Sequence, residues 1–205
     1  MSKDFFNKIN NGIVPANAME MRVRINDRLM PTPRGEIYDD PFDEFLQVNG
    51  YGRVFDVGTK TSPTNEIEYS IIEFYCYENK IYGNAVVRIL DFLEELGAPK
   101  GSRLDVPLAK ATLPFGAKNG LAIYLDGVNL PKEIYQATNV NEVYNRIKQL
   151  VGDKTKPEHQ RAQTLHNETV LCFYSNLSFE RMKEVIKDFV ETYPLCKNAR
   201  IVQIA

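Results

Sequence analysis

The spacing of apolar and polar positions along the chain predicts a succession of strands and helices. Met19 to Ile25 alternates apolar and polar residues, which is the pattern of a half-buried β-strand. Between Tyr82 and Leu96 apolar residues recur every three or four positions, which predicts an amphipathic helix. The same two patterns predict further strands at 52–60, 66–77, 102–106, 121–125, 161–165, 169–174 and 200–204, and further helices at 42–48, 139–151 and 179–193. We therefore expect an α+β fold.

Both halves of the chain show the same order of predicted elements, β-α-β-β-α-β. The apolar stripe of the helix at 82–96 recurs at 179–193, and Arg103 recurs as Arg200 at the same offset of 97 positions. This order resembles the ferredoxin-like superfold, in which a four-stranded antiparallel sheet carries both helices on one face. The resemblance covers nearly the whole chain after residue 18 and implies no activity, because this superfold hosts many unrelated functions. We therefore expect a tandem duplication of a ferredoxin-like βαββαβ unit with antiparallel sheets.

Proline and glycine positions predict the boundaries of these units. Residues 1–18 lack a clear period and are expected to form an N-terminal arm, which a first unit at 19–106 follows. Residues 107–118 contain two prolines and a glycine, which is typical of a connector. A second unit is expected at 119–205.

Composition narrows the classes of protein and of partner. Of the 205 residues, 43% are hydrophobic and 25% are charged, which is enough to bury a core. The net charge of −2 argues against a general attraction to nucleic acid. No stretch approaches the ~18 apolar residues that span a bilayer, and the first residues lack the apolar run of a signal peptide. We therefore expect a cytoplasmic protein with no membrane and no nucleic-acid partner, and the sequence leaves the oligomeric state open.

Cysteine and histidine positions give little support for catalysis or metal binding. Cys172 and His166 lie in one predicted hairpin, and a thiol beside a base would be a nucleophile. A buried apolar role for Cys172 is favoured, because free cysteines are usually buried as small apolar residues. His159 and His166 lack the spacing of metal ligands. The sequence therefore predicts no catalytic residue, no metal site and no cofactor, and it disfavours an enzyme without excluding one.

Other polar and aromatic runs are expected to serve the fold. Asp27 and Asp126 each follow the first strand of a unit, so we expect them at equivalent places as turn formers. An acidic run is expected to be a solvated helix start, stabilised by the helix dipole. That run comprises Glu36, Asp39, Asp40, Asp43 and Glu44. Phe74 to Tyr77 lie on the strand that stacks bases in RNA-binding modules, but the basic and glycine residues of that motif are absent, so packing is favoured.

The lack of a convergent catalytic set favours a binding role. The leading hypothesis is an intracellular binding or interaction protein that acts on another protein through its sheet faces or the cleft between its units. An inhibitor or toxin-neutralising protein is one form of that role. The alternative is a small-molecule enzyme or sensor with a pocket between the two units. The candidate binding residues are Arg103 and Arg200, because a guanidinium can hold an anion through two hydrogen bonds.

Overall fold

Two antiparallel sheets organise the chain over residues 14–152, 160–165 and 167–205, which the structure, a computed structural model, describes. The fold is α+β with antiparallel sheets, which confirms this part of the prediction from the sequence. Each sheet belongs to one of two units. The first unit comprises the residues up to Lys60 together with Ile67–Gly116, and the second comprises Thr61–Glu66 and Ala117–Ala205.

The first unit contains a five-stranded sheet with helices on one face. Its elements in chain order are β1 (Ala18–Ile25), α1 (Pro31–Arg34), a π-helical segment (Gly35–Asp39), α2 (Asp40–Val48), β2 (Gly52–Thr61), β3 (Ile67–Tyr77), α3 (Glu78–Ile81), α4 (Ala85–Glu95), β4 (Ser102–Val106) and β5 (Ala111–Phe115). The sheet order is β2-β3-β1-β4-β5, and β1 pairs antiparallel with β3 and β4. Val23 and Leu104, opposite each other on β1 and β4, are fully buried. They form the core with Phe42 of α2 and Ile89 of α4.

The second unit contains a four-stranded sheet. Its elements are β6 (Asn119–Asp126), α5 (Lys132–Ala137), α6 (Val140–Val151), β7 (Gln160–Thr164), β8 (Glu168–Ser175), α7 (Phe179–Thr192) and β9 (Arg200–Gln203). The sheet order is β7-β8-β6-β9, which repeats the order of β2, β3, β1 and β4. Ile123 and Leu171, opposite each other on β6 and β8, form the core with Ile147 of α6 and Ile186 of α7.

The sheet face turned away from the helices, called the back face, differs between the two units. Because side chains alternate along a strand, Arg22, Arg24 and Arg103 lie on the back face of the first unit. The back face of the second unit carries Ala122 and Cys172, which belong to an apolar cluster and are at most 1% exposed. The first back face is therefore charged, and the second is largely apolar.

The chain between β1 and β2 is helical from Pro31 onward, although the sequence predicts a helix only at 42–48, after a loop that contains Pro31, Pro33 and Gly35. The N–H groups in the first turn of a helix have no partner within the helix. Pro31, which lacks an N–H, is therefore compatible with the start of α1. The helix then widens, and the N–H of Asp40 donates to the carbonyl of Gly35, five residues earlier. Pro41 has no N–H to donate to the carbonyl of Ile37, which interrupts the regular ladder beside the π-helical segment.

Residues 107–118, predicted as a connector, contain a strand. Lys110 has a φ of 48° and ends a short 3-10 turn, and β5 then pairs antiparallel with β4. Across that pair, the Thr112 hydroxyl donates to Asp105 at 2.6 Å. Pro114 is tolerated because β5 is an edge strand. The first unit thus continues to Gly116, and the predicted N-terminal arm lies, up to residue 13, outside the described residues.

Candidate functional site

A polar cleft of about 810 Å³ lies at one end of the second unit's sheet, where β6 ends and β8 begins. Its amide side chains come from Asn65, Asn129, Asn167 and Asn198. Its other lining residues are Thr64, Glu66, Tyr124, Asp126, Leu165, Glu168 and Arg200. All of them belong to the second unit.

Arg200, a predicted binding residue, lies in this cleft as the first residue of β9, opposite Tyr124 of β6. Its guanidinium carbon is 4.4 Å from the centre of the Tyr124 ring, within cation–π range. Its Nη2 donates to both carboxylate oxygens of Glu168, at 2.8 and 2.9 Å. The hydrogen bond to Glu168 raises the pKa of Arg200. The positive charge of Arg200 is therefore already matched within the cleft.

The Tyr124 hydroxyl connects this pair to a second carboxylate. It donates to Oε1 of Glu66 at 2.6 Å. Glu66 ends the loop between β2 and β3, and the N–H of Ser62 closes that loop by donating to the carbonyl of Glu66 at 2.8 Å. Asn65, in the same loop, has a φ of 63°, a conformation that asparagine adopts more readily than most residues. The loop is thus held by its own hydrogen bonds and presents Glu66 to Tyr124.

Asp126 forms a turn at the end of β6, as the sequence predicts for this residue. Its Oδ1 accepts the N–H of Val128 at 3.0 Å and the N–H of Asn129 at 2.9 Å. These two backbone hydrogen bonds lower the pKa of Asp126, which therefore stays ionised at neutral pH. The side chain of Asn129 also donates to this carboxylate.

The resulting cleft has a negative electrostatic character. Its described lining contains three carboxylates, Glu66, Asp126 and Glu168, and one cation, Arg200. A cleft lined mainly by one sign of charge raises the local concentration of the opposite sign, so this one favours a cationic or neutral ligand over an anion. Within residues 14–152, 160–165 and 167–205, no three His, Cys, Asp or Glu residues are grouped so as to hold a metal ion.

Arg103, the other predicted binding residue, does not line this cleft. It lies on β4, exposed on the back face of the first unit and opposite Arg24 of β1. Arg103 and Arg200 occupy the same register position in their sheets. Arg103 on β4 lies opposite β1, and Arg200 on β9 lies opposite β6, the strand that corresponds to β1. Their neighbours differ, because Arg200 lies opposite Tyr124 and Arg103 lies opposite a second arginine.

Asp27 and Asp126 are not equivalent, contrary to the expectation from the sequence. Asp27 is fully buried, and its Oδ2 accepts the hydroxyl of Tyr38 at 3.1 Å. When the registers of β1 and β6 are aligned, Asn26 and not Asp27 is level with Asp126. A shift of one residue moves a side chain to the opposite face of a sheet, which explains the different surroundings.

Part of the acidic run is buried, although the sequence predicts a solvated helix start. Nε of Arg34 donates to Oδ2 of Asp39 at 2.8 Å, and the two side chains are 6% and 11% exposed. Nη1 of Arg34 also donates to the carbonyl of Gly58 and the hydroxyl of Thr59 on β2. Burial raises the pKa of Asp39, and the hydrogen bond from Arg34 opposes that rise. This ion pair fixes the π-helical segment to β2.

The cysteines that the structure describes are buried. Cys172 is 1% exposed in the apolar cluster of the back face. Burial raises the pKa of the Cys76 and Cys196 thiols to about 11, so both stay protonated and unreactive at neutral pH. His159 and His166 lie outside the described residues. The expectations for a pair of Cys172 with His166 and for the spacing of the two histidines therefore stay predictions.

The aromatic residues of β3 pack within the first unit. The rings of Tyr75 and Tyr77 meet edge to face with centres 5.7 Å apart, and Tyr75 is 9% exposed. Phe74 is fully buried in the core. Packed rings of this kind stabilise a sheet and leave little surface for stacking a base.

The sequence analysis missed the asparagines of the cleft. Asn65 and Asn198 have φ angles of 63° and 68°, and turn patterns around them were the available signal. That signal predicts a turn and no more. The two residues are 133 positions apart in the sequence, and their proximity depends on the tertiary fold.

Comparisons with known proteins add no functional assignment. No protein-family model and no curated protein matches the chain. A solved structure of an unknown protein from Galdieria sulphuraria has 12% sequence identity and a TM-score of 0.28, and the match covers 91% of this chain and 97% of that one. A structure described as a "putative glycine cleavage system transcriptional repressor" has 6% identity and a TM-score of 0.27, over 91% and 98% of the two chains. Both TM-scores are too low to bear on the fold or the function. No helix among the described residues is long and apolar enough to cross a membrane.

Proposed function

We propose that this chain is a binding protein, and that the cleft of its second unit holds a small polar ligand that is neutral or positively charged. The observation that carries the proposal is the cleft of about 810 Å³. Its volume falls within the roughly 300–1,000 Å³ of small-molecule sites. Most of its lining residues are polar, so we expect a ligand that forms hydrogen bonds.

Binding is favoured over catalysis because the titratable groups of the cleft already have partners. Glu66 accepts a hydrogen bond from the Tyr124 hydroxyl, and Glu168 accepts hydrogen bonds from the Arg200 guanidinium. Asp126 accepts two backbone N–H groups, and its lowered pKa makes it a weak base. General base catalysis is most effective with a pKa near the working pH.

The amide side chains support a ligand with hydroxyl or amine groups. An asparagine side chain has a carbonyl acceptor and two N–H donors. Asn129 and Asn198 donate to Asp126, and their carbonyl oxygens can accept hydrogen bonds from a ligand. Glu66 and Asp126 add acceptors with negative charge, which an ammonium group would match.

A thermal-shift screen of polar metabolites, grouped by charge, tests this proposal. A ligand that binds only the folded state raises Tm in proportion to the logarithm of its concentration above Kd. We expect hits among neutral and cationic compounds. Asn167→Ala removes an amide from an exposed position in the cleft and should reduce the shift. Asn145→Ala, on α6 outside the cleft, is the matched control and should leave it unchanged.

Glu66→Gln then separates the two ligand classes. The substitution keeps an acceptor for the Tyr124 hydroxyl but removes the negative charge. A cationic ligand should lose about tenfold in affinity, because a charge-assisted hydrogen bond is roughly twice as strong as a neutral one. A neutral ligand should lose much less. Hits that are mainly anions, or hits that Asn167→Ala does not weaken, would contradict the proposal.

We further propose that the two units are copies of one ferredoxin-like βαββαβ unit. Four observations support this: the repeated order of elements, the repeated strand order, the matching apolar stripes of α4 and α7, and the shared register of Arg103 and Arg200. Superposition of the two units in an experimental structure tests the proposal. Corresponding strands and helices should coincide, and a different helix placement in one unit would count against duplication.

Binding of another protein, in an inhibitor or toxin-neutralising role, stays a prediction from the sequence, as does a cytoplasmic location. The alternative of an enzyme is tested by the same screen. A hit that is chemically converted during incubation would favour catalysis.

A further inference from the structure

We propose that the back face of the first unit binds a phosphate group between Arg24 and Arg103. These residues lie directly opposite each other on β1 and β4. Opposite residues of an antiparallel pair have Cβ atoms about 4.5–5.5 Å apart and point to the same face. Two guanidinium groups can therefore reach one oxyanion. The site shares no residue with the cleft of the second unit.

The charges along this row of the sheet are unbalanced. Across β3, β1, β4 and β5 the row consists of Ile71, Arg24, Arg103 and Pro114. It contains two positive charges and no negative one. Like charges directly opposite each other on a sheet are destabilising, and an anion between them would convert that repulsion into attraction.

The carboxylates of the adjacent row are already engaged. In that row Nη2 of Arg22 pairs with Glu73 at 2.5 Å, and the Thr112 hydroxyl donates to Asp105 at 2.6 Å. The hydrogen bond to Glu73 raises the pKa of Arg22. That row therefore has its own ion pair, whereas the row of Arg24 has none among the residues described.

Arg24 is held in place and has an unused donor. Its guanidinium carbon lies 3.8 Å from the centre of the Tyr69 ring, which fixes the group by a cation–π contact. Its Nε is buried and has no hydrogen-bond partner in the described part of the chain. A buried donor without an acceptor is costly, and a movement of the guanidinium towards a ligand oxygen would break no hydrogen bond at Nε. Arg103 is exposed and, within the same ranges, has no hydrogen bond or ion pair.

A phosphate group fits this pair better than a carboxylate. A phosphate monoester carries a charge of roughly −1.5 to −2 at pH 7 and three acceptor oxygens. Two guanidinium groups carry a charge of +2 and can each form paired hydrogen bonds with it. The equivalent position of the second unit differs, because the pair there is Tyr124 and Arg200 with Glu168 as an internal partner.

Isothermal titration calorimetry of the full chain with inorganic phosphate, and separately with phosphoserine, tests the proposal. We expect a Kd of about 1 mM or tighter in low salt, weakening as ionic strength rises. Arg103→Gln should weaken binding by about tenfold or more, and Arg24→Gln should do the same. Arg53→Gln removes the same charge from the same unit but lies on β2, so it should bind phosphate like the wild type.

The two ligands distinguish the source of the phosphate. Binding of both supports a phosphate ester as the natural ligand, and binding of inorganic phosphate alone supports the free ion. If Arg24→Gln does not fold, Arg103→Gln decides, because Arg103 is exposed. A wild-type Kd weaker than about 10 mM for both ligands, or an Arg103→Gln variant that binds like the wild type, would overturn the proposal.

Discussion

Arg103 and Arg200 hold the same register position in their sheets but have different electrostatic surroundings. Arg200 lies over Tyr124, and Glu168 binds its guanidinium at 2.8 and 2.9 Å. Arg103 lies opposite Arg24 and has no ion-pair partner in the described residues. The comparison teaches that a residue repeated in two units need not have a repeated role. Its role depends on which side chain lies opposite.

A third arginine extends this comparison into the interior. Arg34 is 6% exposed and is paired with Asp39, whereas Arg200 is exposed and paired. Arg103 is exposed and has no ion-pair partner in the part of the chain that the structure describes. Burial increases the cost of losing a partner, because an unpaired charge in the interior cannot be solvated. Substitutions at or beside the three arginines should therefore change the free energy of unfolding by very different amounts.

The largest effect is expected at the buried pair. Asp39→Ala leaves the buried Arg34 charge without its carboxylate, so the free energy of unfolding should fall by about 3–5 kcal/mol. Urea unfolding followed by circular dichroism measures this change. Asp39→Asn keeps an oxygen that can accept from Arg34 and should cost much less. A loss below about 1 kcal/mol in Asp39→Ala would mean that the pair behaves like an exposed one.

The wild type and Asp39→Asn also give a pH test of stability with a defined sign. Burial raises the pKa of Asp39 in the folded state above its unfolded value. Ionisation of Asp39 therefore costs stability, and that cost disappears as the pH falls through the folded pKa towards the unfolded one. Across this interval the wild type should gain stability relative to Asp39→Asn.

A smaller loss of stability is expected when a glycine in either sheet is replaced by alanine, and its size should differ between the two units. A Cβ at Gly52 would overlap the backbone carbonyl oxygen of Tyr75, which cannot move easily. A Cβ at Gly120 would come within 2.8 Å of side-chain atoms of Ile204 and Tyr174, which can adjust. Gly52→Ala should thus cost about 1–3 kcal/mol or more, as overpacking does, and Gly120→Ala should cost less. Chemical denaturation midpoints measure both.

Gly58→Ala is the matched control on the same strand as Gly52. No atom of the described residues lies within 4 Å of the position that its Cβ would take. Its stability should stay within about 0.5 kcal/mol of the wild type. Equal losses in Gly52→Ala and Gly58→Ala would contradict the close approach of β2 to β3.

The fold could be predicted wherever the hydrophobic period is strong. The helices predicted at 139–151 and 179–193 correspond to α6 and α7 within one residue at each end. The prediction failed at prolines. Pro31 and Pro114 suggest loops in the sequence, but a first helical turn and an edge strand both tolerate a missing N–H. A proline indicates a missing donor, and only the surrounding fold decides whether that donor is needed.

The candidate sites were less predictable than the fold. The repeat identified Arg103 and Arg200, but it could not show that Arg24 or Tyr124 lies opposite them. That depends on register, which a one-residue shift changes completely, as Asp27 and Asp126 demonstrate. The asparagines of the cleft lie in loops, where no periodicity predicts which segments meet.

Among the described residues, Arg103 carries an unmatched charge and Arg200 a matched one, and the signs of two stability changes test this difference most directly. The measurement is the free energy of unfolding of Arg103→Gln and of Arg200→Gln in low-salt, phosphate-free buffer. Arg103→Gln removes repulsion with Arg24 and should stabilise the chain by about 0.2–1 kcal/mol. Arg200→Gln breaks the pair with Glu168 and should destabilise it by about 0.2–1 kcal/mol. Opposite signs are the predicted result, and a similar loss of stability in both variants would contradict the account.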